Sequence, residues 1–202
     1  FEPELYSMLE NCIEMGRAFI IKEYQQKPMP LFLLWKGIVH ITLRYPEYKY
    51  LMGGVSISNQ FSNFSKSLMI EFMKSHYYDP YIAQYIQPKK EYKVKLKDAD
   101  KDFVFDASKA DMNKFDRIID EIEPGALRIP VLIKKYVKQN ARLVAFNVDP
   151  KFNNAVDGLM YIRVSDTPVL TVKPVMVVFM AALESGDYLN QREEDITINP
   201  LP

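Results

Sequence analysis

Residues 12–57 read CIEMGRAFIIKEYQQKPMPLFLLWKGIVHITLRYPEYKYLMGGVSI, and the order of elements in this stretch indicates the fold class. Residues 12–21 are mostly apolar around two charges, which predicts a largely buried strand. Apolar side chains recur at helical spacing over residues 30–45, which predicts a helix that opens at a proline. Residues 50–57 form a second apolar run with two adjacent glycines, where a bulge or a close backbone approach is expected. The stretch therefore predicts a strand, a helix and a second strand.

The rest of the chain continues this alternation. The expected elements are helix 62–77, short strand 92–96, helices 111–122 and 131–139, strands 142–148 and 159–164, and helix 172–183. Alternating strands and helices favour an α/β sheet over a sandwich or a helical bundle. The length of 202 residues and the 48% hydrophobic content suit one core, so we expect a single domain over residues 1–202. The last helix is apolar nearly all round and should pack into the core or against a partner.

The composition excludes several classes of protein. Lysine plus arginine equals aspartate plus glutamate at 26 each, so no field of one sign attracts a phosphate backbone, and we expect no nucleic acid as partner. Cys12 is the lone cysteine of the sequence, which excludes an internal disulfide and a multi-cysteine zinc site. We therefore expect no metal site and a reducing compartment, the cytoplasm.

The sequence carries no sign of membrane insertion or export. No apolar run approaches the roughly 20 residues that span a bilayer, and the first residues lack the basic stretch and apolar core of a signal peptide. The chain begins without methionine and runs almost at once into a strand-like segment. We therefore expect a fragment of a longer chain whose upstream part is missing.

No motif in the sequence identifies a reaction by itself, because GxSxG, HExxH, GxGxxG and the phosphate-binding P-loop are all absent. Glu14 and Arg17 lie inside the first apolar segment, where charges must be paired, hydrogen-bonded or turned toward a cleft. A spacing of three places them on opposite faces of a strand, so they need not pair with each other. A cleft residue and a structural salt bridge are both open interpretations.

Three small polar residues, Ser56, Ser58 and Asn59, mark the carboxyl end of the second predicted strand. Ligands of α/β proteins commonly bind outside the carboxyl ends of strands, so these residues are candidates for substrate binding. A capping or turn role is the alternative.

Four segments of the chain, taken together, resemble one family. They are IEMGRAFI, EYQQKPMPLFLLWKGI, YLMGGVSISN and IPVLIKKYVKQNARLVAFNVDPKFNNAVDGLMYI, running from residue 13 to residue 162. The chain resembles the GNAT-related N-acyltransferases of ornithine-lipid and glycine-lipid synthesis, many of which carry the label hemolysin. Its first segment is also similar to the E-x-x-R strand of acyl-homoserine-lactone synthases. The resemblance implies an α/β fold with a GNAT-like mixed sheet flanked by helices.

The resemblance also implies a reaction. A long acyl chain would pass from acyl carrier protein, or from acyl-CoA, to the amine of an amino acid such as glycine or ornithine, with no permanently bound cofactor. Glu14 would take the proton of the acceptor amine, a task suited to a partly buried carboxylate with a raised pKa, and Arg17 would orient it or bind an anionic group. Asp149 and Asp157 match positions typical of the family, and we expect a structural loop role for them, with substrate contact as the alternative.

Gln25, Gln26 and Lys27 occupy the place of the loop that holds the pyrophosphate of the donor in acetyltransferases, and we expect them to bind the donor. Residues 25–30 contain two prolines and no glycine, so fewer backbone amides are free to hold a phosphate. This departure favours acyl carrier protein over acetyl-CoA as donor.

The implied product is a membrane lipid, so we expect peripheral contact with the inner face of the membrane alongside the cytoplasmic location. An acyl-homoserine-lactone synthase is a rival enzyme. A non-catalytic lipid-binding or interaction domain that carries the hemolysin label is the alternative from another class. Glu14→Gln distinguishes an enzyme from a binding domain. An enzyme that uses Glu14 as its base loses turnover while it keeps its fold, whereas a binding domain is hardly affected.

Overall fold

A computed structural model describes residues 1–16, 19–25, 27–98, 100–102, 111–123 and 128–185 of the chain. The chain divides into two compact units. Unit 1 comprises residues 1–18 and 47–167, and unit 2 comprises residues 19–46 and 168–202. The expectation of a single domain over residues 1–202 stays a prediction.

Unit 1 is built on a mixed sheet, which has four strands within the described ranges. They are β1 (Cys12–Glu14), β2 (Tyr50–Ile57), β3 (Arg142–Asp149) and β4 (Ala155–Arg163), in the spatial order β1-β2-β4-β3. β1 runs parallel to β2, whereas β2 and β3 both pair antiparallel with β4. Helices flank this sheet, so the expected α/β class is confirmed, and the architecture is consistent with a GNAT-like fold.

Short 3₁₀ turns lie at Pro3–Leu5, Lys22–Tyr24 and Val164–Asp166. The described helices are α1 (Tyr6–Glu10), α2 (Pro28–Arg44), α3 (Asn63–His76), α4 (Pro80–Ala83), α5 (Met112–Ile122), α6 (Val131–Val137) and α7 (Val169–Ser185). Side chains of Ser62, Asp79 and Asp111 accept from backbone amides at the starts of α3, α4 and α5. These bonds satisfy amides that have no partner inside a helix, which fixes where each helix begins.

The core of unit 1 lies where α3 and α5 meet. Phe72 of α3 and Phe115 of α5 stack with ring centroids 3.9 Å apart, and both side chains are fully buried. Lys134 of α6 donates to Asp116 of α5 over 2.7 Å, with both side chains mostly buried. These contacts hold α3, α5 and α6 together by ring stacking and by one charge-assisted hydrogen bond.

The alternation of side chains along β2 gives the sheet two different faces. Face A carries Leu51, Gly53, Val55 and Ile57, all of which are buried. Face B carries Tyr50, Met52, Gly54 and Ser56, of which the last two are exposed. One end of face B is covered by a buried cluster, formed by Leu5, Met8, Met52, Val144 and Tyr161. The other end, around Gly54 and Ser56, stays open.

Gly53 permits a close backbone approach, as the sequence predicts. A Cβ atom at this position would lie 3.1 Å from the carbonyl oxygen of Met15, which is closer than an ordinary van der Waals contact. The amide of Met15 in turn donates to the carbonyl of Met52 over 2.7 Å. The glycine therefore lets the chain that leaves β1 pass directly over β2.

Unit 2 contains the two longest helices among the described residues, α2 and α7, which pack against each other. His40 of α2 and Phe179 of α7 meet edge to face, with ring centroids 5.4 Å apart. Much of the apolar surface of this unit is exposed, at Phe19, Met29, Phe32, Leu33, Val169, Leu170, Val177 and Val178. In the described part of the chain, no helix is both long enough and apolar enough to cross a bilayer.

Three of the strand predictions are wrong in extent or existence, and one of them is β4, predicted over residues 159–164 but observed at Ala155–Arg163. The strand predicted over residues 12–21 ends at Glu14, and Phe19 beyond it is 79% exposed. Gly16 follows the strand, and glycine loses more conformational freedom in a strand than any other residue. No strand forms at residues 92–96. Just before them, Glu91 forms an isolated bridge with Asn147 at the edge of β3, and this pairing does not continue into a ladder.

Candidate functional site

Glu14 is the last residue of β1, and it pairs with Met52 of the parallel neighbour β2. Paired residues of adjacent strands point to the same side, so Glu14 belongs to face B together with Gly54 and Ser56. The sequence predicts a partly buried carboxylate, whereas the structure has this side chain exposed. The difference arises because β1 stops at this residue instead of continuing through residue 21. Its role as a base stays a prediction.

Cys12 shares face B with Glu14, two residues away on β1. Burial and, to a smaller extent, the negative charge of Glu14 together raise the pKa of the Cys12 thiol from its ordinary value of 9.0 to about 11. The thiol therefore stays protonated at neutral pH and is a poor nucleophile. Among the described residues of β1, the carboxylate of Glu14 is the group suited to accept a proton.

Arg17 and Gln26 lie outside the described residues. Gln25 directs its side-chain amide to the carbonyl oxygen of Ile20 over 2.8 Å. The Lys27 ammonium lies 5.0 Å from the centre of the Tyr24 ring. These contacts order the turn before α2, which opens at Pro28 without a side-chain cap. Gln25 and Lys27 lie in unit 2, while Glu14 and Ser56 lie in unit 1.

Ser56 makes a short hydrogen bond on the open end of face B. Its hydroxyl donates to Oδ1 of Asp157 over 2.6 Å, from the directly paired position on β4. Asp157 therefore lies inside a strand, which corrects the expectation of a loop role. Asp149 does have the expected role, because its Oδ1 accepts from the amide of Lys151 over 2.8 Å in the turn after β3.

Ser58 and Asn59 follow β2 and make local contacts. The Ser58 hydroxyl accepts from the amide of Gln60 over 3.2 Å, as in a turn. The side-chain oxygen of Asn59 accepts from the ammonium of Lys66 over 2.7 Å. Lys66 is only 4% exposed, and its burial lowers its pKa. Both contacts fit the turn and structural alternative, and substrate binding by these two residues stays a prediction.

A pocket of about 220 Å³ opens on face B beside the pair formed by Ser56 and Asp157. Its apolar lining includes Ile86, Pro88, Ala145 and Leu159. Gly54 also lines it, and a Cβ atom at Gly54 would have no other atom within 4 Å. Asn147 and Asp157 supply polar groups to the same pocket. An apolar cavity with a few convergent polar groups is the usual form of a small-molecule site.

Sequence reasoning missed Asn147 and undervalued Asp157 as functional candidates. The two residues are direct partners in the β3–β4 ladder, so their side chains lie next to each other on face B. Both polar residues interrupt otherwise apolar segments, AFNV and AVDGL, and this interruption is the signal that a sequence reader could use.

Comparison with known proteins gives one informative result. The chain is 30% identical over 77 residues to a glycine N(alpha)-acyltransferase from Bacteroides thetaiotaomicron. The matched stretch covers 35% of this chain and 23% of that relative, so the chain spans about a quarter of the length of the relative it matches. No family model matches the chain, and no solved structure matches it. The similarity supports a distant relationship to acyltransferases.

Proposed function

We propose that this chain is an N-acyltransferase that moves a long acyl chain from acyl carrier protein to the amine of an amino acid, as a step of amino-acid lipid synthesis. The similarity to a glycine N(alpha)-acyltransferase carries the proposal. The mixed sheet, with its parallel β1–β2 pair and its open pocket on face B, is compatible with it. Glycine and ornithine are the acceptors to compare.

The reaction needs a group that removes a proton. The amine nitrogen attacks the thioester carbonyl carbon, the new C–N bond forms, and the C–S bond breaks to release the carrier thiol. An ammonium cannot attack, so a base must first take one of its protons. We assign this task to Glu14, acting through water, with Arg17 as its positioning partner. The exposed position of Glu14 at the end of β1 leaves it accessible to a substrate.

The start of α2 supports a carrier protein as donor. Helix N-termini bind phosphates through the backbone amides of their first turn. Pro28 and Pro30 occupy two positions of this turn in α2, and a proline nitrogen carries no hydrogen. The turn therefore offers fewer donors to a pyrophosphate than an ordinary helix would. Gln25, Gln26 and Lys27 would instead contact the phosphopantetheine arm or the acidic surface of the carrier.

The test measures product formation directly. The purified chain is incubated with palmitoyl-acyl carrier protein or palmitoyl-CoA, together with glycine or ornithine, and acyl-amino acids are detected by mass spectrometry. We expect N-palmitoyl product, with a higher rate from the carrier protein. Absence of product with every donor and acceptor, while a known acyltransferase is active in the same mixture, contradicts the proposal.

Glu14→Gln tests the assigned base against a matched control. The variant keeps the size of the side chain and removes its charge, and Glu10→Gln does the same at another exposed glutamate of unit 1. We expect Glu14→Gln to lower kcat about 100-fold or more, as for a lost general base, and Glu10→Gln to leave it unchanged. Equal activity of the two variants contradicts the role of Glu14 as the base, but it does not contradict the proposed reaction.

A non-catalytic lipid-binding domain is the second candidate, favoured by the exposed apolar side chains of α2 and α7 such as Phe32, Leu33 and Leu170. Contiguous exposed apolar surface often marks contact with a membrane or a partner. Binding to phospholipid vesicles in a flotation assay, without any acyl transfer, supports this candidate. Binding together with acyl transfer supports an enzyme that works at the membrane surface.

A further inference from the structure

We propose that the pocket on face B holds the amino-acid acceptor, with Asp157 binding its ammonium group and Asn147 its carboxylate. This inference rests on the proposed function and gives the acceptor a place in the fold. Glu14 belongs to the same face of the sheet, but its partner Met52 lies four residues, about 13 Å, along β2 from Ser56, so a proton of the bound ammonium reaches Glu14 through intervening waters.

Asp157 supplies a carboxylate to the lining of the pocket. The side chain is half-buried, and it forms no ion pair with any described residue. A carboxylate has about four lone-pair positions, and the hydroxyl of Ser56 occupies one of them at Oδ1. A partly desolvated anion with free acceptor positions in an apolar pocket favours a cation as ligand. The ammonium group of an amino acid is such a cation.

Asn147 supplies a side-chain amide to the lining of the pocket. Its oxygen accepts from the backbone amide of Lys90 over 2.9 Å, and this bond fixes which way the side-chain amide is turned. Its nitrogen carries two N–H groups, which make no hydrogen bond to a described residue. Asn147 stands directly opposite Asp157 across the β3–β4 pair. An acceptor and a donor thus lie side by side, which matches the ammonium and carboxylate of one amino acid.

The lining of the pocket sets the expected preference among acceptors. Asp157 is the one carboxylate among its described lining residues, and the walls are largely apolar. A second ammonium, as in ornithine, would meet no second carboxylate there and would lose part of its hydration. The pocket therefore favours glycine over ornithine. Gly54 keeps the floor of the pocket open, because any side chain at this position would extend into it.

The binding test does not depend on acyl transfer. Glycine, ornithine and N-acetylglycine, which lacks the ammonium, are titrated into the ¹⁵N-labelled chain without a donor, and amide shifts are followed by NMR. We expect saturable shifts at β3 and β4 with glycine, weaker binding of ornithine, and none with N-acetylglycine. Binding of N-acetylglycine as tight as that of glycine, or absence of any shift at these strands, overturns the inference.

Two variants complete the test. Asp157→Asn keeps the acceptor for Ser56 and removes the charge, and Asp149→Asn removes the same charge outside the pocket. We expect Asp157→Asn to weaken glycine binding and to raise the KM for glycine about tenfold or more, with the KM for the donor unchanged. Asp149→Asn should behave as the unsubstituted chain. Equal glycine affinity in the two variants overturns the inference, while a failure of acyl transfer alone counts against the proposed function only.

Discussion

The hydroxyl of Ser56 donates to Oδ1 of Asp157 over 2.6 Å, which joins two residues that lie 101 positions apart in the sequence. The bond holds the Asp157 carboxylate against β2, with its other oxygen available to a ligand. Such a positioning contact affects how well an acceptor binds more than how fast bound acceptor reacts. The pair therefore offers a separate test of the pocket.

Ser56→Ala removes the hydroxyl and leaves the carboxylate of Asp157 less well oriented. A hydrogen bond to a charged group contributes about 1.5–3 kcal/mol, and water replaces part of it on an open face, so we expect the KM for glycine to rise about 3- to 10-fold. The value of kcat should stay within about twofold, since the base is elsewhere. Steady-state kinetics with varied glycine measure both. A drop in kcat at constant KM would show that Ser56 acts in the chemical step instead.

The reactivity of Cys12 reports on the environment of Glu14. Because Cys12 is the lone cysteine of the sequence, alkylation by iodoacetamide can be followed by intact mass. Its pKa is raised to about 11, first by burial and then by Glu14, so we expect slow alkylation at neutral pH and a rate that climbs toward pH 11. The urea-unfolded chain should react with a midpoint near the ordinary value of 9.0.

Glu14→Gln should shift the alkylation profile of the folded chain to lower pH, since it removes the second cause of the raised pKa. Glu10→Gln serves as the control and should leave the profile in place. The raised pKa also lowers stability in base: between pH 9 and pH 11 the unfolded thiol ionises and the folded one does not. A profile that Glu14→Gln leaves unmoved would contradict the closeness of the two side chains on face B.

Local patterns in the sequence predict most of the individual elements. β2 lies at residues 50–57 as predicted, because a continuous apolar run with β-branched residues suits a strand buried on one face and half-covered on the other. α5 begins after Asp111, whose side chain caps its first turn, and it ends at Ile122 as predicted. Both elements are set by interactions within about ten residues, which a single sequence displays.

The site depends on pairings that no local pattern displays. Asp157 lies in a stretch rich in asparagine, aspartate and glycine, which are typical of loops, yet β4 already begins at Ala155. The strand forms because residues 155–163 pair with both β2 and β3. The same pairing brings Asp157 next to Ser56 and Asn147. Strand register between distant segments is therefore the information that the sequence alone lacks.

Two glycines of the sheet should respond to alanine in opposite ways. A Cβ atom at Gly158 would lie 3.1 Å from Leu143 and 3.4 Å from Phe146, two buried side chains of face A. We expect Gly158→Ala to cost about 1–3 kcal/mol of unfolding free energy, as for an overpacked core. Gly54→Ala meets no atom and should raise that free energy by about 0.5 kcal/mol, because alanine loses less freedom in a strand. Urea denaturation followed by far-ultraviolet circular dichroism measures both, and equal effects would contradict the assignment of the faces.

Asn59 should matter for stability through Lys66. The Lys66 ammonium is buried, and the side-chain oxygen of Asn59 accepts from it over 2.7 Å. Burial lowers the pKa of Lys66, so the charged form of this side chain destabilises the folded chain at neutral pH. This destabilisation disappears as the pH rises toward the ordinary pKa of 10.5. Asn59→Ala removes the acceptor and should cost about 1–3 kcal/mol of unfolding free energy at neutral pH.

Asn59→Asp should act in the opposite direction. Position 59 is exposed, so the desolvation free energy of a carboxylate there is small. This carboxylate would face a lysine charge that is already buried. We expect the pKa of Lys66 to rise and the unfolding free energy at neutral pH to increase, with the gain lost in acid as the new carboxylate protonates. Lys66→Met provides the control background: there, Asn59→Ala and Asn59→Asp should both have little effect on urea midpoints. If Asn59→Ala lowers the unfolding free energy as much with methionine at position 66 as with lysine, then Asn59 contributes through its turn geometry and not through the contact with Lys66.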